Sequence, residues 1–91
     1  MATTLIVSIK VEDFAKWKSA FDEAVPMREK LGIKILAIYR SIGDANSISL
    51  ISEYPSLEIA KAILASPEWE AAQKRAGVVG GFEVKYFTKV A

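Results

Sequence analysis

Hydrophobic positions recur every second residue from Thr3 to Val11. Leu5, Val7, Ile9 and Val11 fall on one side, Ile6, Ser8 and Lys10 on the other. That period of two, rich in β-branched residues, predicts a strand. The period then lengthens. Phe14, Trp17, Phe21 and Ala24 stand at helical spacing among charged residues, which predicts an amphipathic helix. Asp13 is placed to cap it by accepting a free amide. Pro26 has no amide hydrogen and breaks or kinks this helix. A short second piece with Arg28 and Leu31 then runs to a stop at Gly32. Ile33–Ile42 and Ser47–Tyr54 read as a hairpin around the turn residues Gly43-Asp44-Ala45-Asn46.

Pro55-Ser56 closes the hairpin. Leu57, Ala60, Ile63 and Leu64 form the apolar stripe of another helix. Ser66-Pro67-Glu68 restarts the helix, with serine as cap, proline in the first turn and an acid near the positive end. Trp69, Ala72 and Ala76 are its inner face. Gly77 ends it, Gly80-Gly81 read as a mobile connection, and Phe82–Val90 as the last strand. The order β-α-β-β-α-β is the ferredoxin-like split βαβ pattern. The expected fold is α+β, one domain over residues 1–91, a four-stranded antiparallel sheet with helices on one face.

With a four-residue loop at 43–46, Tyr39 faces Leu50, Ile35 faces Tyr54, and Ile38 faces Ile51 on the opposite side. The helix-facing side then collects Leu5, Val7, Ile9, Ile35, Ala37, Tyr39, Leu50, Tyr54, Val84 and Tyr86. The other side collects Ile6, Leu36, Ile38, Ile51 and Phe87, rimmed by Lys10, Arg40, Glu53, Glu83 and Lys85. An antiparallel sheet face left in water is ordinarily polar. An apolar centre inside a charged rim is the anatomy of an interface. The expected partner is a second copy of the chain, held through Ile6, Leu36, Ile38, Arg40, Ile51, Glu53 and Phe87, with Arg40 and Glu53 paired at the rim. Scattered surface apolar residues are the plainer alternative.

Composition narrows the chemistry. The 91 residues are 52% hydrophobic, with 12 basic and 11 acidic side chains and a net charge of +1. No basic patch recommends nucleic acid as a partner. Cysteine and histidine are both absent. That excludes disulfides, thiolate nucleophiles, Cys/His zinc sites, an imidazole base and a haem-ligating histidine. No cofactor or metal is implied, and a cysteine-free chain fits the cytoplasm. Residues 1–10 lack the basic start and long apolar run of a signal peptide, and no apolar run is long enough to span a membrane.

The segment Val11-Glu12-Asp13-Phe14-Ala15-Lys16-Trp17-Lys18-Ser19-Ala20-Phe21-Asp22 resembles the first helix of small dimeric α+β barrel proteins, often described as antibiotic-biosynthesis-monooxygenase-like or cyclase-like. The resemblance extends to the strand order and to Ala65-Ser66-Pro67-Glu68-Trp69 before Gly77, and so covers nearly the whole chain. It implies a homodimer in which two sheets form a barrel with helices outside, and a small pocket between each sheet and its helices. Proteins of this kind include cofactor-independent oxygenases of aromatic polyketides, haem-degrading enzymes, isomerases, and many with no known activity. Similar sequences carry a histidine near the end of the first strand. This chain has Ile9 there, which argues against haem degradation and removes an obvious catalytic group.

Trp17, Phe21, Tyr39, Tyr54, Trp69 and Tyr86 are candidates to line such a pocket, an apolar wall with a few polar tips. Each also fits a packed core. Arg28, just past the Pro26 break, is placed to clamp a carboxylate or enolate, or else to sit solvated or ion-paired. Three functions stay open: a binding module for a small apolar or aromatic ligand, a cofactor-independent monooxygenase or cyclase acting on an aromatic or polyketide-like substrate, and a structural homodimer.

Overall fold

A computed structural model describes residues 2–91. They form four strands and four helices in the order β1 (Thr3–Val11), α1 (Phe14–Glu23), α2 (Val25–Leu31), β2 (Lys34–Arg40), β3 (Ser47–Tyr54), α3 (Leu57–Leu64), α4 (Pro67–Arg75) and β4 (Val78–Phe87). The strands make one antiparallel sheet in the order β2-β3-β1-β4. β1 and β2 run parallel with β3 between them, and β3 and β4 run parallel with β1 between them. Each of these two crossovers is a pair of helices. This is the ferredoxin-like α+β fold expected from the alternating periods.

Local chemistry sets the helix ends. Pro26 stands in the first turn of α2, and Gly32 caps that helix in the left-handed region at φ 75°. The Ser56 and Ser66 hydroxyls accept the Ile59 and Trp69 amides at 3.2 Å, capping α3 and α4. Asp13 occupies the N-cap position of α1, but its carboxylate accepts no amide. The Phe14 amide donates instead to Asn46 Oδ1 at 3.2 Å, which ties α1 to the β2–β3 loop.

The core lies between the sheet and the helices. Leu5, Val7, Ile9 and Val11 are buried beneath Trp17 and Ala60, together with Ile48, Tyr54 and Ala76. Fully burying residues such as Leu5 and Ile48 contributes about 1.5–3 kcal/mol each, an upper estimate.

Two bulges depart from the expected register. The β2–β3 connection is one residue longer than the 43–46 turn, because Ser41 rather than Ile42 meets Ser47. Along β2 the pairing then shifts between Ile35 and Ala37, leaving Leu36 as the extra residue. A one-residue shift sends every following side chain to the opposite face. Ile38, expected on the open face, pairs with Leu50 and packs against the core. Tyr39 and Ala37, expected beneath the helices, pair with Ser49 and Ile51 on the open face instead. Arg40 follows Ile48 to the helix side. Its guanidinium lies 4.0 Å from the Phe14 ring centre and its Nε donates to the Ala45 carbonyl, so it makes no pair with Glu53.

The second bulge lies in β4. The pairing with β1 jumps between Ile9 and Lys10, so that Ile9 meets Phe82 and Lys10 meets Val79. Gly80 and Gly81 are therefore strand residues at a bulge rather than a free connection, and β4 begins at Val78. Gly80 takes φ 71°, which a side chain would resist. No helix among the described residues is long and apolar enough to cross a membrane.

Candidate functional site

The paired helices leave a chamber of about 530 Å³ between themselves and the sheet. Its floor is Val7 and Ile9 of β1 with Leu50 of β3. Trp17 and Phe21 of α1 form one wall, Met27 and Arg28 of α2 another and Trp69 of α4 a third, and the chamber is partly open to solvent. The volume falls in the range of small-ligand sites. Helical spacing accounts for the aromatic wall. Phe14, Trp17 and Phe21 share one face of α1, with Trp17 and Phe21 stacked at 4.9 Å between ring centres. Trp69 meets Phe82 edge-on at 4.5 Å, and the β4 bulge sets Phe82 beneath it.

Few polar groups enter this lining. Arg28 stacks on Phe21, with its guanidinium carbon 3.8 Å from the ring centre. Burial pulls the Arg28 pKa below its ordinary value, against the smaller opposing influence of the Asp22 and Tyr54 charges. Tyr54 is 6% exposed, and burial pushes its phenol above the usual tyrosine range, with the Arg28 cation pulling part of the way back. At neutral pH Tyr54 is therefore a neutral donor, and Arg28 is a cation as guanidinium groups in proteins are. Ser52, 3% exposed and on the same face of β3 as Tyr54, completes the set. Gln73, Glu23 and Arg75 also reach the lining, the last two at exposed positions.

Of the seven pocket candidates read from the sequence, Trp17, Phe21, Arg28, Tyr54 and Trp69 come together around the chamber. Tyr39 does not, because the Leu36 bulge turns it to the open face, where it is 59% exposed. Tyr86 keeps to the helix side, paired with Leu5, but lies on the edge strand outside the lining, with the Lys61 ammonium 5.8 Å from its ring centre. Ser52, Gln73, Glu23 and Arg75 are lining residues absent from the sequence-based candidates, and of these Ser52 is the buried one. Its signal was present, since Ile48, Leu50 and Tyr54 share its phase and a serine among them is a polar group facing the core.

On the open face, Ile6 lies between Ile51 and Lys85, with Ala37 beyond Ile51. Thr4 separates Glu53 from Phe87 in the next row. The Ser8 and Ser49 hydroxyls share a hydrogen bond of 3.1 Å across the middle. Ile6, Ile51, Glu53 and Phe87 therefore occupy this face as expected, Leu36 sits in the bulge, and Ile38 and Arg40 have left it.

No protein-family model matches the sequence, and a search of curated proteins finds no match. Solved structures do resemble it. A candidate antibiotic biosynthesis monooxygenase from Bordetella bronchiseptica superposes with a TM-score of 0.80 at 19% identity, covering 99% of this chain and 98% of that one. A protein of the same description from Caulobacter crescentus gives 0.74 at 16% identity, over 99% and 91% of the two chains. SnoaB, a cofactor-independent oxygenase from Streptomyces nogalater, gives 0.70 at 17% identity, over 99% and 94%. At such identities the likeness is one of fold, and the chain has the α+β fold of the antibiotic-biosynthesis-monooxygenase-like proteins that its first helix resembles.

Proposed function

We propose that this chain is a homodimeric binding protein for a small aromatic ligand, held in the chamber between sheet and helices. The observation that carries this reading is the chamber itself. It is apolar, walled by Trp17, Phe21 and Trp69, and supplied with a few polar groups to orient an occupant. The volume accommodates about two or three fused rings. Tyr54, held neutral by burial, supplies a hydroxyl donor beside the rings. The dimer part of the proposal rests on the open sheet face, where Ile6, Ile51 and Phe87 stand without a covering layer.

Phenylnaphthylamine, a neutral dye that fluoresces in apolar surroundings, tests the ligand reading. Saturable binding that quenches tryptophan emission and weakens at least about tenfold in Trp17→Ala is the expected result. Absence of saturable binding by the folded protein would sink the reading. For the dimer, sedimentation equilibrium should give twice the chain mass for the native protein and the chain mass for Ile51→Lys.

A second reading, a cofactor-independent oxygenase of aromatic substrates, is favoured by the fold shared with SnoaB. Oxygen uptake with hydroquinone-type substrates, above their spontaneous oxidation and reduced in Tyr54→Phe, would select it. Binding of the same hydroquinones without uptake leaves the binding reading in place.

A further inference from the structure

Arg28 is a cation that makes no ion pair among the described residues. Among the described residues, four salt bridges join Lys10 to Asp44, Lys16 to Glu12, Lys18 to Asp22 and Lys74 to Glu70, and none includes Arg28. Asp22, the carboxylate whose charge Arg28 feels, is already held by Lys18 at 2.6 Å. What the guanidinium has instead is the Phe21 ring at 3.8 Å. A stacked guanidinium keeps its N–H edge free for planar, bidentate recognition of an oxyanion. Glu23 and Arg75 are opposite charges at exposed lining positions, so Arg28 is the net charge of the chamber. Desolvating a charge without a partner is costly unless a counter-charge arrives. Tyr54 and Ser52 add hydroxyl donors to the same lining, and hydroxyl donors also suit an anionic oxygen.

From this arrangement we infer that the occupant is an aromatic monoanion, a ring system bearing a carboxylate or an ionised ring hydroxyl, with Arg28 as its counter-ion. The inference rests on the ligand-binding reading and names the class of ligand. The rings lie among Trp17, Phe21 and Trp69, and the charge lies at α2. Neutral rings of the same shape fill the apolar part and leave the guanidinium unanswered.

The test is displacement of phenylnaphthylamine by matched pairs at neutral pH: naphthoate against naphthamide, and hydroxynaphthoquinone, which is ionised there, against its methyl ether. The anion of each pair should bind at least about tenfold tighter, the scale of one charge-assisted hydrogen bond. In Arg28→Met the ratio should fall to about one, with the larger loss falling on the anion of each pair, and Arg28→Lys should keep part of the preference. Thermal melts of both variants establish that they are folded. A larger ratio for one pair than the other tells carboxylate from ring hydroxylate. Equal affinity for anion and neutral partner, or a preference that survives in Arg28→Met, overturns the inference and leaves the ligand reading standing. Failure of the dye and of all four rings to bind the native protein removes both.

Discussion

The two faces of this sheet are built from the same four strands and come to opposite ends. On the helix side, every inward residue of β1 from Leu5 to Val11 is buried. On the other side the same strand shows Ile6, Ser8 and Lys10, and its neighbours show Ser49, Glu83 and Lys85, with Tyr39 and Phe87 at 59% and 44% exposure. The covered face shows what a helix layer demands: apolar side chains in an unbroken phase along the central strand β1, with the polar exceptions gathered at the chamber or, as with Arg40, stacked on an aromatic ring. The open face mixes Ile6, Ile51 and Phe87 with serines and charges. That mixture suits a surface meeting a partner more than a core, since interfaces are about as apolar as the rest of a protein's surface. The difference lies in covering, and substitutions placed on each side separate it.

The largest effect should come from Ile38→Glu beside Tyr39→Glu, adjacent residues on opposite faces, of which the Leu36 bulge decides the one that meets the core. A carboxylate at position 38 points into the core and should cost on the order of 4 kcal/mol or unfold the domain. At position 39 it points outward, and stability should change by less than about 1 kcal/mol while self-association weakens. Urea melts of the two variants check this. Without the bulge the two results would trade places.

A smaller contrast comes from Leu5→Ala and Ile51→Ala. Leu5 is fully buried, and its truncation should cost about 2–5 kcal/mol. Ile51 is partly exposed, and in a dissociated chain its loss should cost about 1 kcal/mol. Equal costs at low protein concentration would mean that the open face is not open in the free subunit.

These pairs also mark where the sequence ceased to be legible. β1 could be read face by face because Leu5, Val7, Ile9 and Val11 keep one phase wholly apolar while Ser8 and Lys10 break the other. Ile35-Leu36-Ala37-Ile38-Tyr39 is apolar in both phases, so no alternation pins its register, and a one-residue slip costs little in hydrophobic terms. The bulge is settled by pairing with β3 and by the length of the 42–46 loop, neither of which leaves a mark in the strand itself. Tyr39 was misplaced for that reason alone, and Ile38 and Arg40 with it. In β4 a mark did exist, since glycines inside a strand pattern signal a bulge, but the short run Val78-Val79 before them concealed the strand's beginning. Helix ends depend on nearer neighbours. Ser66, Pro67, Gly32 and Gly77 act through bonds a few residues away, so their positions agree with the structure. Trp17, Phe21 and Arg28 reached the chamber through helical spacing and the Pro26 break, and Ser52 was missed because its neighbours Leu50 and Tyr54 drew attention to the strand as core.

Within the covered face the chamber should separate binding from stability. Arg28→Met removes a cation that burial disfavours and keeps a side chain able to pack on Phe21. Its melting temperature should match or exceed that of the native protein, the usual sign of a site kept for function at some cost to the fold. A fall of more than about 5 °C, near 1 kcal/mol for a domain of this size, would make Arg28 a structural residue.

The smallest effect concerns Tyr54 in alkali, and its sign follows from linkage. Burial raises the folded-state pKa above the ordinary value of about 10. Below pH 10 the phenol is protonated in folded and unfolded chains alike, and it adds no slope. Above it the unfolded chain sheds the proton first, so stability falls as pH rises toward the folded pKa, by at most about 1.4 kcal/mol per pH unit. Tyr54→Phe should lose this part of the alkaline decline and be shifted by a constant amount below pH 9. Arg28→Met should extend the decline to higher pH, because the cation that restrains the Tyr54 shift is gone, while its onset stays fixed by the unfolded chain. Urea melts between pH 8 and 11 on the three proteins measure both. Superimposable alkaline slopes for native protein and Tyr54→Phe would mean that the phenol is solvated in the free protein, and that the covered face is closed less tightly than the sheet beneath it requires.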